Sequence, residues 1–220
     1  MILLSDPKIR RLESADCGAP MVDLRHQPDL LLDKRMADED GAFARIRKPV
    51  AERLLAAQDA LPDGLRLLIV EAYRPLHLQQ EIFDGYCGRL RRTYPDWADE
   101  RVHVEASKFV SPPEVAPHCT GGTVDLTLCT VDGEELDMGT AMNATPEDCA
   151  SACFTAATTI SPDARANREL LVKVMTGAGM VNYPTEWWHY SYGDRYWALH
   201  HGLAATEFGP VDLETALQHG

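Results

Sequence analysis

The sequence predicts an α+β fold, an antiparallel sheet flanked by helices. Three observations carry that expectation. A continuous apolar run over 65–72 reads as a buried strand, amphipathic stretches at 46–60 and after Pro75 read as helices, and the second half holds short strand-like segments around one long helix. The order strand–helix–loop–strand–helix–strand, with short strands near the end, favours antiparallel neighbours over repeated βαβ units.

In chain order, the first forty residues read as polar and irregular, ending in Asp38-Glu39-Asp40-Gly41. A helix is predicted from about Ile46 to Ala60. Val50, Leu54 and Ala57 line one face, and Leu61-Pro62-Asp63-Gly64 stops it. The apolar run Leu65 to Ala72 lies between Gly64 and Arg74-Pro75. Pro75 suits the first turn of a second helix, where a missing N–H costs nothing, and Leu78, Ile82, Tyr86 and Leu90 follow at helical spacing. A short further helix is predicted within 95–108. Ser111-Pro112-Pro113 to Pro117 must be loop, because three prolines remove donors and disfavour helix before each.

Thr123 to Cys129 alternates as a strand should, with Thr123, Asp125 and Thr127 on one side and Val124, Leu126 and Leu128 on the other. Asp132-Gly133 is a turn signal, and a polar loop follows to about Asn143. A long helix is predicted from Pro162 to Met175, capped by Ser161 and stopped near Gly177 and Gly179. Trp187 to Tyr192 is aromatic and strand-like.

At 220 residues the chain suits one core and is short for two. No repeat or Ser/Gly linker divides it, so one domain over 1–220 is expected. A formal net charge of -13 argues against nucleic acid or an anionic membrane as partner, since both need a basic face. Ile2-Leu3-Leu4 is too short an apolar run for a secretory signal, and no stretch approaches a membrane span; a soluble, cytoplasmic protein is expected. Without an export signal, the six cysteines are expected as free thiols. Cys149 and Cys153, four apart, would share a helical face, and Cys119 reads as an incidental neighbour of His118.

The chemistry lies in two segments. His118-Cys119-Thr120-Gly121-Gly122-Thr123-Val124-Asp125 precedes Glu186-Trp187-Trp188-His189 by some sixty residues. Two histidines, an aspartate and an unattached glutamate are what a catalytic zinc site needs: three ligands, an open fourth position and a base beside it. Gly121 and Gly122 let the chain turn tightly enough for His118 and Asp125 to meet one ion. In a straight strand Glu186 and His189 would face opposite sides, so Glu186 must lie at a bend, which Tyr183-Pro184-Thr185 can supply. A lone histidine is ordinarily structural or superficial, which is the reading of His26, His77, His103, His200, His201 and His219. Arg74, at a strand end, is either a guanidinium aimed at a developing oxyanion or the partner of Glu71 or a helix carboxylate. Trp187 and Trp188 read as core and pocket wall, one on each face.

Several ordered motifs together resemble the D-alanyl-D-alanine dipeptidase family, within the larger zinc DD-peptidase and Hedgehog-like fold. They are Tyr73-Arg74-Pro75, His118-x6-Asp125 followed by Leu126-Thr127-Leu128, Met138-Gly139-Thr140, Asn167-Arg168-x-Leu170-Leu171 and Glu186-Trp187-Trp188-His189-Tyr190. The resemblance runs from about Leu54 to Tyr192. It implies one zinc ion on His118, Asp125 and His189, Glu186 as base and proton shuttle, and Arg74 polarising the scissile carbonyl or its oxyanion. It implies a small dipeptide substrate in a closed pocket, and assigns substrate binding to the positions of Tyr73, Ala116 and Asn143. Two places depart from the pattern. Ala116-Pro117 and Thr120 stand where the family carries a Ser before the first His and an Arg two places after it. Met142-Asn143 replaces a Phe-Asp pair whose carboxylate binds the substrate ammonium, and Glu147 or Asp148 can stand in from the same loop. Three readings follow: a dipeptidase for a D-amino-acid dipeptide, a carboxypeptidase or amidase acting on peptidoglycan fragments, and a metal-binding protein without turnover.

Overall fold

The computed structural model describes residues 3–4 and 6–213, so His219 and Ile2 lie outside the described residues. The elements are α1 (Pro7–Arg11), β1 (Met21–Asp23), β2 (Leu31–Leu32), β3 (Arg45–Arg47), α2 (Lys48–Asp59), β4 (Leu65–Glu71), α3 (Leu76–Thr93), α4 (Asp99–Ala106), β5 (Thr123–Thr130), α5 (Pro162–Gly177), β6 (Val181–Asn182), β7 (His189–Ser191) and α6 (Arg195–His200). No helix among the described residues is long and apolar enough to cross a membrane.

The main sheet has the order β2-β4-β5-β7-β6. Its three central and distal pairings are antiparallel, as expected, but the edge strand β2 runs parallel to β4. The sheet is therefore mixed. The chain leaves β2, passes through β3 and α2, and re-enters as β4, and a crossover of that length delivers a parallel neighbour. β1 and β3 form a separate antiparallel pair. Part of the expected helix from Ile46 is thus strand: Ile46 pairs with Val22, and the helix begins at Lys48, where Pro49 fixes the first turn.

One face of the sheet is the core. Val124, Leu126 and Leu128 of β5 and Leu67 and Ile69 of β4 pack with Leu54 of α2 and Leu171 of α5, all fully buried. Ser161 caps α5, its hydroxyl accepting from the Ala164 N–H at 3.0 Å. Thr123, Asp125 and Thr127 point to the opposite face, where Thr123 donates to Asp194 Oδ2 at 2.8 Å and Asp125 lines a cleft shared with α3. That helix buries Phe83 and Cys87 against Val102 and Ala106 of α4. The Leu78–Leu90 stripe is not the buried one. Its members are only partly buried, and Ile82 and Tyr86 line an open cleft between α3 and the sheet. The six cysteines are free.

Candidate metal centre

A single helical turn over His118–Thr120 ends at Gly121, whose φ of 68° is in the left-handed region. A Cβ there would meet Met21 Sδ at 2.7 Å, and one at Gly122 would meet the Tyr192 carbonyl oxygen at 2.4 Å. Only glycines fit this entry into β5. Asp125 then lies opposite His189 on β7 and opposite Glu71 on β4, so three adjacent strands carry their polar groups to one level.

Glu186 sits in the turn joining β6 to β7. Its N–H donates to the Tyr183 carbonyl at 3.0 Å, and its own carbonyl accepts from the His189 N–H at 3.2 Å and from Asn182 Nδ2 at 3.1 Å. This bend brings Glu186 Oε2 to 3.6 Å from His189 Nδ1, on the same side.

His118, Asp125 and His189 each offer a ligand atom, and these atoms lie within 4.8 Å of one another. Asp125 Oδ1 is 3.4 Å from His118 Nε2 and 3.0 Å from His189 Nδ1. It is nevertheless buried with no hydrogen-bond partner, as is His189 Nε2. An orphaned buried acceptor costs about 1–3 kcal/mol, and a cation at the convergence point would satisfy it. Two imidazoles and one carboxylate are a donor set that fits zinc. The His118 ring is already fixed for that task. Its Nδ1 donates to the Ala72 carbonyl at 2.7 Å, so in the neutral ring Nε2 is the lone-pair nitrogen, and it faces Asp125.

The electrostatics agree with this convergence. Burial pushes the Asp125 carboxyl up, but the two imidazoles more than offset it, and its pKa falls well below the usual carboxylate range. Burial would lower His118, yet Asp125 outweighs that and raises it. Glu186 keeps 23% of its side chain exposed through the cleft. The walls around it still remove enough water that burial pushes its carboxyl up to about 7, with His189 and Arg74 pulling the other way.

Arg74 is the partner of Glu71, one of its two sequence readings. Nε donates to Glu71 Oε1 at 2.8 Å, Nη2 donates to Glu71 Oε2, and Nη1 donates to Gln79 Oε1 at 2.8 Å. It also lines the cleft beside the histidines. Burial would lower its pKa, but Glu71 raises it further above its ordinary value, so it is a fixed cation.

The cleft has a volume of about 600 Å³. Arg74, His118, Asp125, Glu186, Trp188 and His189 form one end, and Asn143 and Asp148 stand on the loop wall. Asn143, exposed, has a φ of 62°, and Asp148 accepts from the Thr145 hydroxyl at 2.6 Å. Tyr73 and Ala116 are not part of the cleft wall. The Tyr73 hydroxyl donates to the Val211 carbonyl at 2.8 Å, and its ring packs on Met21 and Ala42. Ala116 is buried on the far side of Pro117, beside Thr120 and Asp194. Trp188 lines the cleft, whereas Trp187 Nε1 donates to Thr140 Oγ1 at 2.9 Å inside the fold. Cys119 is buried, and its thiol is pushed up to about 12 by burial, which keeps it inert.

Sequence reasoning missed two supports. Gln79 bridges Arg74 to the Ser111 carbonyl, to which its amide nitrogen Nε2 donates at 2.7 Å. Arg168, 1% exposed, donates from Nε to the Met138 carbonyl and from Nη1 to the Phe154 carbonyl, each at 2.7 Å. It thereby ties α5 to both ends of the loop that carries Asn143 and Asp148. The alternation of charged residues in α5 hides this role, because an arginine on a helix is ordinarily solvated.

Comparison with known proteins gives the same direction. Residues 29–205 match the D-ala-D-ala dipeptidase family. A D-alanyl-D-alanine dipeptidase of Synechocystis sp. is 28% identical over 222 residues, covering 83% of this chain and 85% of the relative. One of Escherichia coli is 31% identical over 128 residues, covering 58% and 55%. Among solved structures, a VanY D,D-pentapeptidase variant in complex with Zn(II) is 18% identical and has a TM-score of 0.46, over 94% of this chain and 99% of that one. With the family match spanning most of its length, this chain belongs to the D-ala-D-ala dipeptidase family.

Proposed function

We propose that this chain is a zinc-dependent peptidase that hydrolyses D-Ala-D-Ala or a related dipeptide containing a D-amino acid. His118, Asp125 and His189 hold one zinc ion per chain. The observation that carries this is the orphaned, buried Asp125 Oδ1 between two imidazole nitrogens, at the end of a cleft that also holds a carboxylate outside the ligand set. Zinc, when bound, supplies a Lewis acid that acidifies water and polarises a carbonyl.

The chain's own groups supply the rest. Glu186 takes the proton of the attacking water on Oε2 and returns it to the leaving amine, the role of a general base and then a general acid. Arg74, held rigid by Glu71 and Gln79, presents a fixed positive charge to the oxygen on which negative charge develops. Asp148 receives the substrate ammonium, and Asn143 beside it is a neutral polar wall. Trp188 closes the catalytic end against water.

The test combines metal analysis with a panel of D,D-, L,D-, D,L- and N-blocked dipeptides. One zinc per chain and cleavage of a dipeptide with a free ammonium are expected. Glu186→Gln should keep the zinc and lose at least about a hundredfold in turnover. A zinc-loaded protein that cleaves nothing in the panel, or a fully active Glu186→Gln variant, contradicts the reading.

A further inference from the structure

Besides Gln79 and Arg168, a third residue outside every sequence motif reaches the metal centre. Arg47 ends β3, and its side chain is only 4% exposed. An arginine is rarely so deep unless its charge and its N–H groups all find partners. Here Nη2 donates to Asp16 Oδ2, Nη1 to the Ala19 carbonyl at 2.6 Å, and Nε to the Thr120 carbonyl at 3.0 Å. The backbone N–H of the same residue donates to the Gly121 carbonyl at 2.9 Å. Arg47 therefore takes both the Thr120 and the Gly121 carbonyl, at the exit of the turn that begins with the ligand His118.

The turn's internal bonds fix its shape but not its place. The Thr120 N–H and hydroxyl both donate to the Pro117 carbonyl, at 3.0 and 2.7 Å. From outside, the His118 carbonyl accepts from the Arg74 N–H only at 3.3 Å, a long bond, and the Cys119 carbonyl accepts from the Val211 N–H at 2.9 Å. Arg47 supplies the rest. The same stretch of chain also holds the strand end that orients the His118 ring. The Ala72 N–H donates to the Phe43 carbonyl at 2.8 Å and the Tyr73 N–H to the Arg45 carbonyl at 2.9 Å, while the Ala72 carbonyl accepts His118 Nδ1. Backbone and ring of His118 are thus both tied to residues 43–47.

We infer that Arg47 is a positioning residue for the metal centre: its guanidinium, anchored by Asp16, sets where His118 stands and so how tightly the site holds a divalent cation. The inference rests on the zinc reading above and adds to it a residue that touches neither ion nor substrate. Metal–ligand distances tolerate only about 0.2 Å. A buried carbonyl that loses its donor must find another or reach water, and the turn carrying His118 shifts when it does.

Zinc calorimetry and the visible spectrum of the Co(II)-loaded protein test this on Arg47→Met, Arg47→Lys and Asp16→Asn. Leu171→Ala, a core truncation on the other face of the sheet, is the control for lost stability alone. Arg47→Met keeps the stem and removes every side-chain donor; it should lose about ten- to a hundredfold in zinc affinity and shift the cobalt bands. Arg47→Lys should recover part of the loss. Asp16→Asn leaves the bond to Thr120 in place and should lose about threefold. Leu171→Ala, less stable in chelator than the parent, should bind zinc as the parent does. Parental affinity and spectrum in Arg47→Met, or an equal loss in Leu171→Ala, overturns the role. If Arg47→Met does not fold, the Lys and Asn variants decide: parental affinity in both overturns it, and reduced affinity in both supports it. A parent that binds neither ion defeats the zinc reading by itself. The placement of His118 is then judged in the metal-free protein by the proton resonance of its Nδ1–H. Loss of that signal in Arg47→Met or Arg47→Lys but not in Leu171→Ala supports the role, and its retention in the arginine variants overturns it.

Discussion

Replacing Glu71 with Gln tests whether Arg74 is a cation held in place by its neighbours. Glu71 is 5% and Arg74 14% exposed in their side chains, and two of the three guanidinium bonds go to Glu71. Deleting one partner of a buried pair costs about 3–5 kcal/mol. Gln is milder, because it keeps the shape and one acceptor oxygen, and Gln79 still accepts from Nη1. The expected loss is the difference between charge-assisted and neutral bonds, about 2 kcal/mol in all. For a chain of this length that corresponds to a melting shift of about 4–8 °C. The assay is urea and thermal unfolding in the presence of chelator, so that metal binding does not enter. A double-mutant cycle with Arg74→Met should return a coupling of about 2 kcal/mol. In the zinc-loaded enzyme kcat should fall more than KM, since the guanidinium loses its aim rather than its presence. A Glu71→Gln variant as stable as the parent, or a coupling below about 0.5 kcal/mol, would refute the account.

Other expectations follow from the same contacts. Asp148→Asn should raise KM about tenfold for dipeptides with a free ammonium and leave N-blocked ones unaffected, as a steady-state comparison would show. Arg168→Met removes a buried donor and strands the Met138 and Phe154 carbonyls. It should cost about 3 kcal/mol by urea titration and raise hydrogen exchange across 138–154. Gly121→Ala combines a left-handed φ with a 2.7 Å approach to Met21 Sδ, so it should destabilise by about 2 kcal/mol or more and weaken zinc binding measured by calorimetry.

Much of the site was legible because its residues carry local signals. Gly121-Gly122 beside His118 announced a tight entry into a strand, and Thr123 to Cys129 alternated clearly enough to place Asp125 on the face away from the core. The period of two also demanded a bend at Glu186, and the β6–β7 turn supplies it. The long apolar run of β4 and the Ser161 cap of α5 were equally direct. What escaped notice depends on distant partners. β2 has two residues and gains its identity only from Leu68 and Ile69. β3 interrupts a helical pattern because Ile46 finds Val22 across the small sheet. α6 is short, and its one local signal is Asp194, whose carboxylate accepts from the Trp197 N–H at 2.8 Å. The stripe from Leu78 to Leu90 is apolar in sequence, yet the cleft rather than the core takes Ile82 and Tyr86. Tyr73 and Ala116 sit next to residues of the centre in sequence, but side-chain direction turns both away from the cleft.

Zinc titration followed by calorimetry, on the parent chain and on Asp125→Ala, addresses the centre most directly. One tightly bound ion per chain in the parent, and a loss of at least a hundredfold in affinity when the carboxylate is removed from a folded variant, is the predicted result. A parent that takes up no zinc, or an Asp125→Ala protein that binds it as well as the parent does, would mean that the two imidazoles and the buried oxygen between them serve some other purpose.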